Sequence, residues 1–328
     1  MCEDRSVHPI RYPTKGRAML HEITFPSFNE RDTVYGWIYV PAAKPKGIVQ
    51  LVHGFGEHSR RYLHLIVNLL EAGYIVAADD HVGHGKTAVE NDRWGDWGDK
   101  GPHTMMEDEH RLSVLVKEKY PNLPLFFFGH SMGSMIGRDY MVKYGNELAG
   151  ITLCGVTGRF PETDAVIARL QELVAAGEGE NSDPGIIQQF FGFSFARIPE
   201  GVKIGNEWIC EDPYVQKDHA EDPFDAFTKP TSNRSMLDFA QMLKQVEGPQ
   251  WAEAVPQDLP VYLIAGSEDP IGMFGTGFME VVNWLEDTGH QTQAQLYFGY
   301  RHEIHNYTDI KDEVAWSIID FFNDIVSA

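Results

Sequence analysis

The chain has 328 residues, of which 43 % are hydrophobic and 23 % are charged. This composition excludes a disordered, collagen-like or small disulfide-rich protein. The 27 basic and 48 acidic side chains give a formal net charge of −21 at pH 7, and so acidic a surface repels nucleic acid, so no nucleic-acid partner is expected.

The first half of the chain alternates predicted strands with predicted helices. Wholly apolar runs are typical of strands buried on both faces, and alternation with helices predicts a mostly parallel sheet covered on both sides. Strands are predicted near 20–25 and over 34–40, 47–52, 74–79, 123–129 and 151–156, and helices over 60–71, 105–120 and 130–145.

The alternation stops near residue 159 and resumes after residue 253. The stretch between has 8 basic and 17 acidic residues and an aromatic cluster, FFGFSF, at 190–195. A structureless loop of about 95 residues is improbable inside a domain. We therefore predict an α/β core over 1–158 and 254–328 with an inserted, mainly helical cap over 159–253. The resumed pattern has strands at 261–266 and 293–298 and helices at 277–288 and 309–326.

The strongest chemical signal is the sequence GHSMG at 129–133, which matches G-x-S-x-G between an apolar strand and a helix. This is the context of a nucleophile elbow, and it predicts Ser131 as the nucleophile. A sharp turn forces unusual dihedral angles on the serine. Small residues two positions before and after it are therefore needed to avoid clashes.

A nucleophilic serine needs a base and an acid that orients the base, and in this type of fold they follow in the order Ser, Asp or Glu, His. The last two predicted strands end close to Asp269 and His302. We assign Asp269 as the orienting carboxylate and His302 as the general base. Glu268 is the rival acid; His290, at the wrong end of its strand, and His305, expected to start the last helix, are the rival bases.

An oxyanion hole needs two backbone N–H donors. One is expected from Met132, which follows the nucleophile, and the second from Phe55 in the HGFG loop after the strand at 47–52. The Phe55 side chain is a candidate to line the acyl pocket. The aromatic residues Phe190, Phe191, Phe193 and Phe195 are further pocket candidates, with simple packing of the cap onto the sheet as the alternative for each.

No metal and no cofactor are expected. His302 and His305 are three residues apart, one short of the HExxH spacing that zinc requires on a helix. Neither HGFG nor HVGHG fits a phosphate-binding loop. The cysteines Cys2, Cys154 and Cys210 are odd in number and far apart, which favours a cytoplasmic protein without disulfides.

No targeting or membrane-spanning segment is predicted. The first fifteen residues lack the apolar segment of a signal peptide, and no apolar run approaches the ~20 residues that cross a bilayer. The sequence is compatible with transient contact with a membrane surface. It does not indicate the oligomeric state.

Four segments, VHGFGEHSRRY, DHVGHGKT, GHSMGS and YRHEIHN, together resemble the monoglyceride lipase and lysophospholipase-like group of the α/β-hydrolase superfamily. The resemblance extends from about residue 36 to the C-terminus and is weakest in the cap. It implies the α/β-hydrolase fold and the same roles for Phe55, Asp269 and His302. The group usually has a small residue where Phe55 stands, so a narrower acyl site is expected here.

The sequence therefore predicts a serine carboxylic-ester hydrolase acting through an acyl-enzyme. Its expected partner is a small ester with an apolar acyl chain, such as a monoacylglycerol or lysophospholipid. Two alternatives stay open. One is an aminopeptidase of the proline-iminopeptidase type, whose acidic cap would hold a free amine. The other is a scaffold that binds a ligand without turnover.

Overall fold

A computed structural model describes residues 18–198, 201–225 and 229–327. Cys2 and the N-terminal segment considered above for a signal peptide lie outside these residues. Within the described ranges, no helix combines the length and apolar character needed to cross a membrane.

In the described residues, eight strands form one mostly parallel sheet. In chain order they are β1 (Met19–Pro26), β2 (Thr33–Val40), β3 (Gly47–Val52), β4 (Tyr74–Asp80), β5 (Leu125–His130), β6 (Gly150–Cys154), β7 (Val261–Gly266) and β8 (Thr292–Tyr297). The order across the sheet is β1-β2-β4-β3-β5-β6-β7-β8. Among the strand pairs that the structure describes, the antiparallel ones are those that β2 makes with its neighbours β1 and β4. All other described pairs are parallel, as predicted.

Helices cover both faces of the sheet. They are α1 (Leu63–Glu71), α2 (Gly85–Asn91), α3 (Thr104–Lys119), α4 (Met132–Tyr144), α5 (Thr163–Ala175), α6 (Pro184–Phe191), α7 (Pro213–Glu221), α8 (Asn233–Gln245), α9 (Pro249–Ala254), α10 (Thr276–Asp287) and α11 (Lys311–Ser327). Phe126 and Phe127 of β5 point to opposite faces because side chains alternate along a strand. Phe126 contacts Phe322 of α11, and Phe127 contacts Tyr140 of α4.

The segment between β6 and β7 consists of helices and loops in its described residues, which confirms the prediction of a mainly helical insertion. Asp183 and Asp212 cap α6 and α7, each accepting a hydrogen bond from the backbone N–H two residues further on. A proline follows each cap at the first helical position. Helix α8 packs against α5 and against α4 of the core, and so joins the two parts.

Three local predictions were incomplete or wrong. Helix α2 was missed because seven residues are too few to show helical periodicity. The helix predicted over 60–71 begins as a 3₁₀ turn over Ser59–Tyr62. His305 does not start the last helix, which begins at Lys311. His305 instead lies buried in the preceding loop, stacked on Tyr62 with ring centroids 4.7 Å apart.

Candidate active site

Ser131 lies in a sharp turn between β5 and α4. Its φ of 56° and ψ of −118° place a non-glycine residue in the left-handed half of conformational space. Such a conformation costs roughly 1–3 kcal/mol and persists only where its surroundings hold it. The Ser131 N–H donates to the carbonyl of Cys154 at 3.0 Å, and the Ser131 carbonyl accepts from the Ser134 N–H at 2.8 Å.

The two glycines of the motif are required by close backbone contacts. A Cβ on Gly129 would lie 2.2 Å from the carbonyl oxygen of Gly133, and a Cβ on Gly133 would lie 2.2 Å from the carbonyl oxygen of Val52. Neither position can therefore take a side chain without displacing backbone. This is the steric reason for the spacing of the motif around Ser131.

Asp269 and His302 are brought together from the loops that follow β7 and β8. The His302 Nδ1 lies 3.0 Å from each carboxylate oxygen of Asp269, and both residues are buried. Asp269 also accepts a hydrogen bond from the Ile271 N–H at 2.9 Å. The carboxylate therefore fixes the imidazole with Nδ1 as its donor, which leaves Nε2 to act on other groups.

A glycine at the end of β7 allows the two loops to approach. A Cβ on Gly266 would lie 2.1 Å from the carbonyl oxygen of Tyr300. The Glu268 N–H donates to the same carbonyl at 2.9 Å. The chain just before His302 is thus held against the loop that carries Asp269.

The charge around His302 favours its protonated form. Burial by itself lowers the pKa of this imidazole, but the charge and hydrogen bond of Asp269 outweigh it, with Glu303 and Glu57 adding to the effect. The pKa of His302 therefore lies above its ordinary value of 6.5. An imidazole with a raised pKa accepts a proton more readily than an ordinary histidine does.

His302 lies close to the turn that carries Ser131. The His302 ring lies 4.6 Å, centroid to centroid, from the ring of His130, the residue before Ser131. Gly155 makes room for both rings, since a Cβ there would lie 2.9 Å from His130 and 3.0 Å from His302. In the described structure the Ser131 hydroxyl is not hydrogen bonded to His302. Catalytic contacts of this kind often tighten only when substrate binds.

The rival residues are engaged elsewhere. Glu268 is partly exposed and pairs with Arg197 at 3.4 Å. The ring nitrogens of His290 lie within hydrogen-bond distance of the carbonyls of Leu285 and Val255, away from Ser131. His305 contacts Tyr62 and His130.

The loop after β3 lies directly against Ser131. A Cβ on Gly54 would lie 2.9 Å from the Ser131 Cβ, so the loop that carries Phe55 lies next to Ser131. Met132 is the first residue of α4 and is fully buried. At the N-terminus of a helix its N–H has no partner within the helix and is available to an anion.

Glu57 was not singled out from the sequence, yet it ties this loop to the elbow. Its carboxylate accepts from the Gly54 N–H at 2.7 Å and the Tyr62 hydroxyl at 2.6 Å, and it lies 3.1 Å from His130 Nδ1. Burial acts to raise the pKa of Glu57, but His130 and Arg61 hold it well below its usual range. Arg61 also binds Glu303, the neighbour of His302. The sequence offered one signal for this connection, namely the glutamates Glu57 and Glu303 inside the GEH and RHE motifs.

A cavity of about 470 Å³ opens beside Ser131 between the core and the cap. Its size is in the usual range for small-molecule sites. Most of its lining is apolar and comes from both parts of the chain. The lining residues are Phe55, Ser131, Thr157, Phe160, Ser182, Pro184, Ile187, Gln188, Phe191, Ser194, Phe195, Gly205, Trp208, Lys229, Pro230, Thr231, Phe239 and Ile271.

The structure divides the four cap phenylalanines. Phe191 and Phe195 line the cavity, and Phe191 stacks on Phe55 with ring centroids 5.9 Å apart. Phe190 is 1 % exposed and packs against Phe160 and Phe239. Phe193 contacts Phe160 from outside the lining. Phe191 and Phe195 therefore line the cavity, whereas Phe190 and Phe193 pack the cap.

Three groups of described side chains have donor atoms close enough to share a metal ion. They are His130 with Cys154 and His305, His58 with Asp222 and Asp225, and Asp79 with His81 and Glu109. None includes Ser131, Asp269 or His302, so the candidate active site is distinct from all three.

Comparison with protein families gives one match that spans most of the chain. Residues 43–309 match the model of the family described as serine aminopeptidase, S33. A carboxyl esterase from Bacillus coagulans, solved in complex with glycerol, is similar in structure, with a TM-score of 0.92 and 52 % identity. The match covers 94 % of this chain and 99 % of the esterase.

Several curated relatives carry lipase names, and two of them illustrate the range of coverage. The monoacylglycerol lipase of Mycolicibacterium smegmatis is 24 % identical over 290 residues, which are 86 % of this chain and 91 % of the relative. The monoglyceride lipase homolog of Monkeypox virus is 36 % identical over 107 residues. That match spans only 33 % of this chain and 37 % of the viral protein.

Proposed function

The chain belongs to the α/β-hydrolase family described as serine aminopeptidase, S33, and on that premise we propose that Ser131, His302 and Asp269 form the catalytic triad of a carboxylic-ester hydrolase. The predicted relationship to the monoglyceride lipase group is confirmed by relatives named monoacylglycerol lipase and monoglyceride lipase. Ester hydrolysis is the activity in the names of the relatives that match nearly the whole chain.

In the proposed mechanism, Ser131 Oγ attacks the ester carbonyl carbon while His302 Nε2 takes its proton. His302 then gives that proton to the leaving alcohol, which leaves the acyl group on Ser131. Water, deprotonated by His302, attacks the acyl-enzyme and releases the acid. Asp269 holds the imidazole in the required tautomer and stabilises its positive charge.

The developing oxyanion is assigned to the N–H groups of Met132 and Phe55. Two preorganised donors in a site that excludes water stabilise this charge at the tetrahedral stage. The loop that carries Phe55 is braced by the Gly54 N–H bond to Glu57. The loop therefore has little need to rearrange during the reaction.

The substrate class follows from the cavity beside Ser131, and this is the observation that carries the proposal. Its wall is built from phenylalanine, tryptophan and isoleucine side chains of the core and cap. Burial of an acyl chain against such a wall is favourable by roughly 0.8 kcal/mol per CH₂. Single-chain esters, such as monoacylglycerols and lysophospholipids, are the substrates that fit.

The family description keeps an aminopeptidase as a second candidate. A free amino group in an apolar pocket needs a carboxylate partner. Among the described lining residues there is no Asp or Glu, and the charged side chain is that of Lys229. The cavity therefore favours an ester over an amine substrate. A scaffold without turnover would need neither the strained Ser131 nor the Asp269–His302 pair.

The test is hydrolysis of p-nitrophenyl esters with two to sixteen acyl carbons, alongside 1-monoacylglycerols and a proline arylamide. We expect ester turnover that peaks at medium or long chains. Ser131→Ala should lower kcat/KM at least about 10³-fold, because the nucleophile is lost while the fold is kept.

Other outcomes would revise the proposal in defined ways. Turnover of acetyl and butyryl esters alone would remove the lipid substrate and keep the mechanism. Cleavage of the arylamide alone would favour the aminopeptidase. Ligand binding without turnover in both wild type and Ser131→Ala would favour the scaffold.

A further inference from the structure

Three fully buried side chains meet between the sheet and helix α3, away from the cavity. Asp79 is in β4, His81 follows that strand, and Glu109 is in α3; each is at most 1 % exposed. The His81 Nδ1 lies 3.6 Å from Asp79 Oδ1 and 3.3 Å from Glu109 Oε1. None of the three lines the cavity beside Ser131.

The tautomer of His81 follows from its other ring nitrogen. His81 Nε2 lies 3.2 Å from the backbone carbonyl of His53, which can only accept, so Nε2 carries the proton. In the neutral ring Nδ1 is then unprotonated, and its lone pair faces the carboxylates of Asp79 and Glu109. A histidine whose second nitrogen donates to a carbonyl is oriented as metal-bound histidines are.

Glu109 is held in a similar way. The Gln50 amide donates to the Glu109 backbone carbonyl at 2.8 Å and to Glu109 Oε2, and Gln50 itself accepts from the Ser113 hydroxyl. Oε1 is left without a hydrogen bond. The glutamate thus presents one oriented oxygen to His81.

In the described structure no N–H or hydroxyl group donates to either carboxylate oxygen of Asp79, and the Asp79 carboxyl lies against that of Glu109. Its neighbour Asp80, on the opposite face of β4, is fully partnered. Asp80 accepts from the Ser59 N–H and hydroxyl, from Arg60 and from the Lys86 N–H. The lack of N–H and hydroxyl donors is therefore particular to the side of β4 that faces α3.

Four atoms without an N–H or hydroxyl donor thus face one another in the buried interior: both oxygens of Asp79, Nδ1 of His81 and Oε1 of Glu109. Buried acceptors without hydrogen bonds are costly, and buried carboxylates that face each other are more so. A positive charge among them would satisfy all four.

We propose that Asp79, His81 and Glu109 bind a divalent transition-metal ion of the zinc class. One imidazole nitrogen and carboxylate oxygens are ligands that such ions accept. Ligands 2.0–2.1 Å from zinc at tetrahedral angles lie about 3.3 Å apart, and the His81–Glu109 separation is 3.3 Å. Three ligating side chains leave a fourth position for a water molecule. Because none of the three lines the cavity beside Ser131, the proposed role of the ion is structural.

The ion would also steady the loop next to the nucleophile. The backbone N–H of His81 donates to His53 Nε2 at 3.1 Å, and the ring nitrogen Nδ1 of His53 donates to the Gly54 carbonyl at 2.8 Å. A fixed His81 thereby fixes the start of the loop that carries Phe55. The proposal does not depend on the identity of the substrate or on the catalytic triad.

The test is the metal content of the intact protein, expressed with added Zn²⁺, Mn²⁺ and Co²⁺, desalted and measured by inductively coupled plasma mass spectrometry. We expect about one ion per chain in the wild type and at least about tenfold less in Glu109→Gln and Asp79→Asn. Asp225→Asn, in a separate cluster of possible ligands, should keep the ion.

Thermal unfolding gives a second readout. With a bound ion, Glu109→Gln removes a ligand and lowers Tm, and added Zn²⁺ raises Tm of the wild type alone. If a shared proton occupies the cluster instead, Glu109→Gln relieves repulsion, leaves Tm equal or higher, and the wild type contains no stoichiometric metal. Either that result or an ion retained by Glu109→Gln would overturn the proposal.

Discussion

The backbone conformation of Ser131 depends on residues that carry no side chain. Its positive φ exposes the hydroxyl at the end of β5, while the contacts of Gly129 and Gly133 with the neighbouring backbone leave no volume for a Cβ. The strain at one residue is thus held by its two glycine neighbours and by the strand beside them.

Gly129→Ala tests this directly. Because the new Cβ would meet the Gly133 carbonyl at 2.2 Å, we expect the elbow to shift and kcat/KM to fall about 10²-fold or more, as displacements near 1 Å do. Gly192→Ala is the control, since its Cβ would meet the flexible end of Gln188 in a helical backbone. Equal activity of the two variants would contradict the steric argument.

The pH dependence of catalysis is also expected to depend on single residues, His302 and Asp269. The proposed mechanism needs neutral His302, and its pKa is raised by Asp269 against the opposing effect of burial. The acid limb of kcat/KM should therefore lie above the ordinary histidine value of 6.5, with activity lost below it.

Asp269→Asn removes the negative charge that favours the imidazolium, so the acid limb should move to lower pH while kcat falls about 10⁴-fold. Glu268→Gln, at the adjacent exposed position, should change neither. The measurement is a pH profile of kcat/KM for the three proteins. An unmoved limb in Asp269→Asn would remove His302 or Asp269 from its assigned role.

At the scale of elements, helix α8 fastens the cap to the core. The Ser232 hydroxyl oxygen accepts from the Ser235 N–H at 3.1 Å and donates to the Ser235 hydroxyl at 2.9 Å. The Ser235 hydroxyl in turn accepts a hydrogen bond from the backbone N–H of Trp97 in the core. The N-terminus of one cap helix is thereby linked to a core loop by a short chain of hydrogen bonds.

Ser232→Ala should lower the free energy of unfolding by about 1 kcal/mol, the usual cost of losing a side-chain cap. Ser232→Gly should lose only a few tenths of a kcal/mol, because glycine ranks close to serine as an N-cap residue. Chemical denaturation of the three proteins would check both values. A larger loss in the glycine variant would show that the hydroxyl does not act as a cap.

At the scale of the whole molecule, the cavity exists only because the cap covers the edge of the sheet. Phe191 of the cap stacks on Phe55 of the core across it. The neighbouring Phe190 points away and packs among buried rings. Substrate preference and cap stability can therefore be separated by two adjacent substitutions.

Phe191→Ala should widen the cavity and move the preferred p-nitrophenyl ester to a longer chain with a small loss of stability. Phe190→Ala should cost about 3–5 kcal/mol of stability, as for other buried phenylalanines, with the chain preference unchanged. Chain-length profiles and denaturation curves of both variants check this. The same shift in both profiles would contradict the separation.

Much of the core could be predicted from local patterns. The apolar runs at β3 and β7 are buried on both faces and lie at the predicted residues. Spacing along the chain also led to Asp269 and His302, because parallel strands end at one edge and bring their loops together. Short α2 and the loop position of His305 lacked such a pattern, since both depend on contacts with other elements.

The sequence by itself determined the class of fold, the helical cap and the family, because these follow from periodicity and short motifs that local geometry requires. Only the tertiary structure decided which phenylalanine lines the cavity and how Glu57, Arg61 and Glu303 connect the motifs. It alone placed Glu109 beside Asp79 and His81. Such contacts join residues far apart in the chain, and no local preference of the backbone encodes them.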